Sequence, residues 1–210
     1  MRITGFTMAA LLAAGTAAAQ APVELPFPRK TGGMPLMEAL AKRATSREFD
    51  TRDLPVEQLS NLLWAGFGVS RADGRRTAPS SMNRQEIEIY VLLKSGAYVY
   101  DAPGHRLAPV LAEDVRALGG RQEFVKDAPA TLVYVADLAR MQEAPAAQKH
   151  ETAAIDAGFV SQNVYLYCAS EGLATGVRAW VDVEALGKRL GLRADQRIVA
   201  AQSVGWPKKK

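Results

Sequence analysis

Two arginines four residues apart, Arg43 and Arg47, bracket Ala44, Thr45 and Ser46. Guanidinium forks beside hydroxyls suit a phosphate, which can accept charge-assisted hydrogen bonds from both arginines. The competing reading is a solvated basic helix end set against the helix dipole. A second segment, residues 75–85, reads Arg-Arg-Thr-Ala-Pro-Ser-Ser-Met-Asn-Arg-Gln. Pro79, Ser80 and Ser81 belong to a turn. Asn83 and Gln85 then bring amide donors and acceptors to the start of an apolar run, which suits the polar edge of a heterocycle. A plain turn explains the same residues equally well.

Two further segments are more specific than a core requires. Asp156, Gly158, Ser161, Gln162, Asn163 and Tyr165 interrupt an apolar helical pattern with a strip of small and polar residues, which suits close helix packing. Residues 171–180 (Glu-Gly-Leu-Ala-Thr-Gly-Val-Arg-Ala-Trp) and the closing residues 202–210 carry glycines that let backbone approach a flat ligand, and end on three lysines. The lysines are a solvated tail or extra phosphate partners.

Composition removes other chemistries. Cys168 is the only cysteine, and His105 and His150 the only histidines, which excludes disulfide scaffolds and thiolate zinc sites and leaves little for His-dependent triads. Cys168, with nothing nearby in sequence to activate it, reads as a packed thiol. A net charge of +4 over 210 residues, without a clustered basic patch, is no nucleic-acid signature.

These segments need elements to hold them. Pro35 suits the first turn of a helix carrying Leu36, Met37, Leu40 and Ala44. A second helix begins near Pro55 and stops by Gly66 or Gly68. Ile87, Ile89 and Val91 alternate as in a strand, and Ser95-Gly96 turns the chain into a hairpin partner over residues 97–100. Residues 107–118 read as a short helix, 131–136 as a central strand and 140–150 as a polar connection. Residues 152–171 form the longest helix, apolar on most sides and stopped by Gly172. Asp182 caps a short helix through Leu190, and residues 198–204 form a last strand. Helices and strands interleave without βαβ regularity, so the fold class is α+β.

Residues 1–19 have one arginine, a short apolar run and an Ala17-Ala18-Ala19 cleavage site, the pattern of a secretory signal peptide. The run is too short and too diluted by Thr, Gly and Ala to favour a membrane anchor. The expected organisation is a signal peptide over 1–19, an extended leader over 20–34 and one domain over 35–210. The expected location is periplasmic or secreted, with no membrane span after signal removal.

In order, these segments resemble the nitroreductase family of FMN-dependent oxidoreductases over roughly residues 35–207. Lys-Arg-x-[Ser/Thr]-x-Arg-x-Phe-Asp is met by Arg43, Thr45 and Arg47. Pro79-Ser80-Ser81-Met82-Asn83-Arg84-Gln85 is similar to the family's Pro-Ser-x-x-Asn-x-Gln segment. Gly158-x-x-x-Gln162-Asn163-x-Tyr165-Leu166 with Gly172-Leu173-Ala174-Thr175 resembles its dimer-interface helix and flavin-covering loop. Val204-Gly205-Trp206-Pro207 is similar to its closing Val-Gly-Tyr-Pro. Residues 98–107 look like the branch containing azoline dehydrogenases of peptide natural products.

The resemblance implies a mostly antiparallel sheet flanked by helices and a long buried helix at a homodimer interface. It also implies FMN as cofactor. Hydride would pass through flavin N5 from NAD(P)H or another donor to a small nitro, quinone or azoline-like acceptor, with no catalytic side chain. On that alignment Arg43, Ala44, Thr45, Arg47 and Lys209 lie at the phosphate. Pro79, Ser80, Ser81, Asn83, Gln85, Ala179, Trp180 and Gly205 lie around the ring, and Arg76, Arg84 and Arg178 on the substrate side. The chain ends before the crossing strand that many relatives carry, so the dimer is expected to rest on the long helix. The alternative is a flavin-free binding protein that retains the fold.

Overall fold

The alternation at residues 87–93 feeds two cores rather than one. In the computed structural model, which describes residues 20–209, strand β3 (Ile87–Leu93) sends Ile87, Ile89 and Val91 to one face and Tyr90 and Leu92 to the other. Its neighbour β6 (Ala130–Asp137) is buried along its whole length, as a strand covered on both faces must be. One face packs on α2 (Val56–Phe67) and α3 (Ala146–Glu171) through Leu62, Leu63, Phe67, Val160 and Val164. The other packs on α4 (Val183–Leu190) through Leu186 and Leu190. Full burial of each such leucine contributes about 1.5–3 kcal/mol.

The remaining elements are β1 (Val23–Glu24), α1 (Leu36–Lys42), β2 (Phe49–Asp50), β4 (Gly96–Asp101), β5 (Arg106–Leu111), β7 (Ala174–Arg178) and β8 (Gln196–Pro207). The strand order is β1-β5-β4-β3-β6-β8-β2, with β7 on the free side of β8. All pairings between these strands are antiparallel. The fold is α+β, as expected.

Three expectations need correction. Residues 106–111 are not helical but form β5, held between β1 and β4; only Arg116–Gly119 make a helical turn. Pro109 is accommodated where the register shifts between Ala97 and Tyr98, so its missing N–H interrupts no regular ladder. Helix α3 starts at Ala146, six residues before the expected start, because Pro145 sets the entry and Ala, Gln and Lys extend the helix readily. Ala174 and Thr175, expected within a loop over residues 172–175, begin strand β7 on β8. Within the single chain α3 leaves Ile155 59% and Phe159 43% exposed, so burial on nearly all sides, expected from the domain itself or from a partner subunit, is only in part supplied by the domain. Gly172 does stop α3 in the left-handed region, and Asp182 caps α4 through the Ala185 N–H.

Residues 20–35 lie across the body as a strap. Ser60 Oγ donates to the Pro26 carbonyl (2.6 Å) and lies 2.8 Å from His105 Nε2, while His105 Nδ1 meets Tyr100 Oη at 2.9 Å. Further along, Asn61 accepts from the Arg29 N–H, Arg29 pairs with Glu171, and Ser170 accepts from the Met34 N–H. Burial lowers the His105 pKa, which favours the neutral ring that this network uses. The proposed signal peptide lies outside the described residues. No helix among those residues is long and apolar enough to cross a membrane.

Candidate functional site

Helix α1 ends at Lys42, and the chain then runs extended past Arg43–Arg47 beside the end of β7. Three contacts fix this run. Ser46 N–H donates to the Thr175 carbonyl (2.9 Å), Thr45 Oγ1 lies 3.0 Å from Tyr165 Oη, and the Arg43 guanidinium stacks over the Tyr165 ring at 5.4 Å. Tyr165 Oη also accepts the Val177 N–H at 3.0 Å. Gly176 is required here, because a Cβ would meet the Ser46 carbonyl oxygen at 2.9 Å. Of the described acidic side chains, none pairs with Arg43 or Arg47. Nine other arginines are paired; Arg43 and Arg47 are among seven described arginines without a carboxylate partner, and they are the two on this extended run.

The Pro79–Gln85 loop is built differently. Met82, Asn83 and Gln85 have φ of 52°, 53° and 51°, three non-glycine residues in the left-handed region within four positions. Such strain persists only where surrounding bonds hold it, and it gathers at functional loops. Ser80 Oγ accepts the Gln85 N–H (2.9 Å), and Asp156 Oδ2 on α3 accepts the Ser81 N–H (2.8 Å). Met82 and Asn83 point outward, and Pro79 is also exposed. Next to the loop, Glu86 is fully buried and neither carboxylate oxygen meets a donor. Burial and the adjacent Asp156 carboxylate raise its pKa to about 7.

The other sequence-derived residues divide. Ala179 and Trp180 are exposed just beyond β7, continuing the edge that starts at Thr45. Arg84 is tied locally to Ser81 Oγ and Met82 Sδ. Arg76, half-buried, donates to Gln85 Oε1 and the Phe67 carbonyl and covers the Phe67 ring, so its charge is already engaged within the chain. Arg178 is engaged likewise. It is buried, donating to the Gly119 carbonyl and Ser203 Oγ, and desolvation lowers its pKa to about 10. Gly205 packs on Pro129, where a Cβ would come within 2.4 Å of the ring. Lys209 lies in a surface cleft with Asp50 and Asp127, so its charge already has carboxylate neighbours. Cys168 is buried, and burial pushes its thiol pKa up, as expected of a packed residue. Among the described residues no cluster suits a metal.

Sequence reasoning gave Asp156 and Tyr165 only a place in a helix-packing strip, yet each anchors one half of the site to α3. They are nine residues apart, about two and a half turns, which sets them on opposite sides of the helix and roughly 13 Å apart along it. The exposed stripe of Ile155, Gly158, Phe159 and Gln162 runs between them. A single protomer therefore holds the arginine run and the amide loop on different flanks of α3. The groove beneath the strap, lined by Arg29, Asn61, Trp64, Asn163, Tyr167 and Glu171, contains neither half.

Comparison with known proteins gives the family. Residues 40–206 match the Nitroreductase family. The chain belongs to the nitroreductase family. A candidate nitroreductase from Ralstonia eutropha JMP134 has a solved structure 41% identical to this nitroreductase-family chain. It superposes with a TM-score of 0.88 over 93% of each chain. A candidate nitroreductase of Methanocaldococcus jannaschii is 32% identical over 160 residues, 71% of this chain and 81% of that protein. The NADPH:FMN oxidoreductase of Vibrio harveyi, solved with NAD+, shares the fold at 20% identity. Its TM-score is 0.64, over 83% of this chain and 69% of that one. Membership gives this nitroreductase-family protein a general oxidoreductase role.

Proposed function

We propose that the protein is a homodimeric, FMN-dependent oxidoreductase acting outside the cytoplasm on a small organic acceptor. The observation that carries this is the pair of arginines without carboxylate partners, Arg43 and Arg47, on the extended run that Ser46 and Thr45 tie to β7 and Tyr165, next to the exposed Ala179 and Trp180. The donor set fits FMN. Arg43 and Arg47 would hold the phosphate with charge-assisted bonds, and Thr45 would border it. Asn83 would meet the polar edge of the ring, with Ala179 and Trp180 along its side. Bound FMN would supply hydride transfer at its N5, chemistry that needs no histidine or cysteine from the protein. The protein's own part is binding, orientation and exclusion of water. NAD(P)H or another donor would supply the electrons; the Vibrio harveyi relative is an NADPH:FMN oxidoreductase.

A second copy supplies the missing convergence. The uncovered stripe of Ile155 and Phe159 is apolar, and Gly158 within it has nothing within 4 Å of a would-be Cβ, so another helix can approach closely. On α1, Leu36 is 62% and Met37 75% exposed. Phe159→Asp is expected to convert the dimer to a monomer in sedimentation and to weaken flavin binding with it. A dimer that persists, with full flavin occupancy, would place the interface elsewhere.

Protein purified from the periplasm of an expressing bacterium tests the whole reading. It is expected to begin at Gln20 by mass, to be yellow, and to release a flavin absorption band on denaturation. Colourless protein that FMN cannot reconstitute points instead to a flavin-free binding protein of the same fold. Reduced enzyme assayed against nitro, quinone and azoline compounds then defines the acceptor.

A further inference from the structure

We infer that Arg76 and Gln85 determine which atom Asn83 offers to a ligand, making the Pro79–Gln85 loop a hydrogen-bond donor to an acceptor edge such as a ring carbonyl. This rests on the proposed reading of Asn83 as a ring contact and assigns Gln85 a different role, that of a positioning residue. Every polar group of Gln85 is already used. Its N–H goes to Ser80 Oγ, and its carbonyl accepts from Arg140 Nη1 at 3.0 Å. Its Oε1 accepts from Arg76 Nε at 2.9 Å, and its Nε2 donates to the Gly74 carbonyl at 3.2 Å and to Asn83 Oδ1 at 3.1 Å. No donor of Gln85 remains for a cofactor.

The direction of this chain of bonds follows from chemistry alone. A guanidinium can only donate, and a backbone carbonyl can only accept. Arg76 therefore requires the oxygen of the Gln85 amide on its side, and Gly74 requires the nitrogen on the other. With Gln85 Nε2 facing it, Asn83 must turn Oδ1 inward, which leaves Nδ2 and its two hydrogens outward on an exposed side chain. The site is thus selective for a ligand edge rich in acceptors. A ligand that presents N–H groups there would meet donors with donors and lose the bond.

Gln85→Glu is the nearly isosteric test. The carboxylate keeps its bond from Arg76 but can no longer donate to Asn83, so the Asn83 amide turns over and presents its oxygen outward. FMN affinity, read by flavin fluorescence titration, is expected to fall roughly tenfold or more in Gln85→Glu. In an Asn83→Ala background the same substitution should change affinity less than twofold. Equal affinity of Gln85→Glu and wild type, or an equal loss in the Asn83→Ala background, overturns the inference. A ligand-free measurement separates this from the cofactor reading. In nitrogen-15 spectra the Asn83 side-chain NH2 should exchange freely with water in the wild type and become protected, with a downfield shift, in Gln85→Glu. An unchanged signal overturns the inference even in a protein that binds FMN. A wild type that binds no FMN overturns the cofactor reading and leaves this signal to decide the polarity.

Discussion

FMN binding is expected to weaken by about 100-fold or more in Arg43→Ala/Arg47→Ala, because each charge-assisted bond to the phosphate is worth roughly 1.5–3 kcal/mol. Neither arginine has a carboxylate partner to leave behind, so the unliganded protein should keep its melting temperature. Arg43 also covers the Tyr165 ring, but that ring stays fixed by Thr45 and Val177 through its hydroxyl. Titration with FMN and with riboflavin separates the causes. Riboflavin lacks the phosphate and should bind the double variant and the wild type alike. An FMN affinity that does not change, or a riboflavin affinity that falls equally, would show that these arginines hold something other than the phosphate.

Stability that improves at alkaline pH is the second large effect, expected for Glu86→Gln. The carboxyl takes up its proton in the folded state at about pH 7, against 4.5 for an unperturbed side chain, because burial and Asp156 both disfavour its charge. Between these values the folded state holds a proton that the unfolded state has released. Stability therefore falls as pH rises from about 4.5 to about 7 and stays low above that. A neutral amide has no such loss. Glu86→Gln should match the wild type near pH 4.5 and exceed it at pH 8 by roughly 2–3 kcal/mol, the energy of a shift of this size. Urea midpoints at the two pH values measure it. Parallel pH dependence in the two proteins would mean that Glu86 is ionised throughout, with a partner it lacks here. Asp156 also accepts the Ser81 N–H of the Pro79–Gln85 loop, so the same titration loads that loop's anchor with repulsion at high pH.

What could be read in advance follows the physical range of each signal. The alternation at Ile87, Ile89 and Val91, the continuous apolar run at 131–136, Gly172 as a stop and Asp182 as a cap are local, and each was legible. Residues 106–111 were misread because a strand among strands takes its conformation from its neighbours, β1 and β4, and not from its own pattern. Glu86 looked like the polar half of an alternation. It is buried because the left-handed Gln85 breaks the alternation just before β3 and leaves Glu86 beside Asp156 of α3, whereas Glu88, within the strand, is only half-buried.

The same distinction runs through the site. By itself the sequence determined the family, the α+β class, the paired arginines and the amide-bearing loop, since residue type and short spacing carry all of these. Which arginines are free was decided only by tertiary structure. Arg43 and Arg47 lie clear of carboxylates, Arg178 is enclosed beside Gly119, and Arg76 is committed to Gln85. Partners such as Tyr165 and Asp156 come from a helix some 75 residues or more away along the chain, and no local pattern records such a meeting. Hydrogen-bond direction is likewise a property of assembled groups: an amide can face either way until an arginine and a carbonyl, brought together by folding, leave it one orientation.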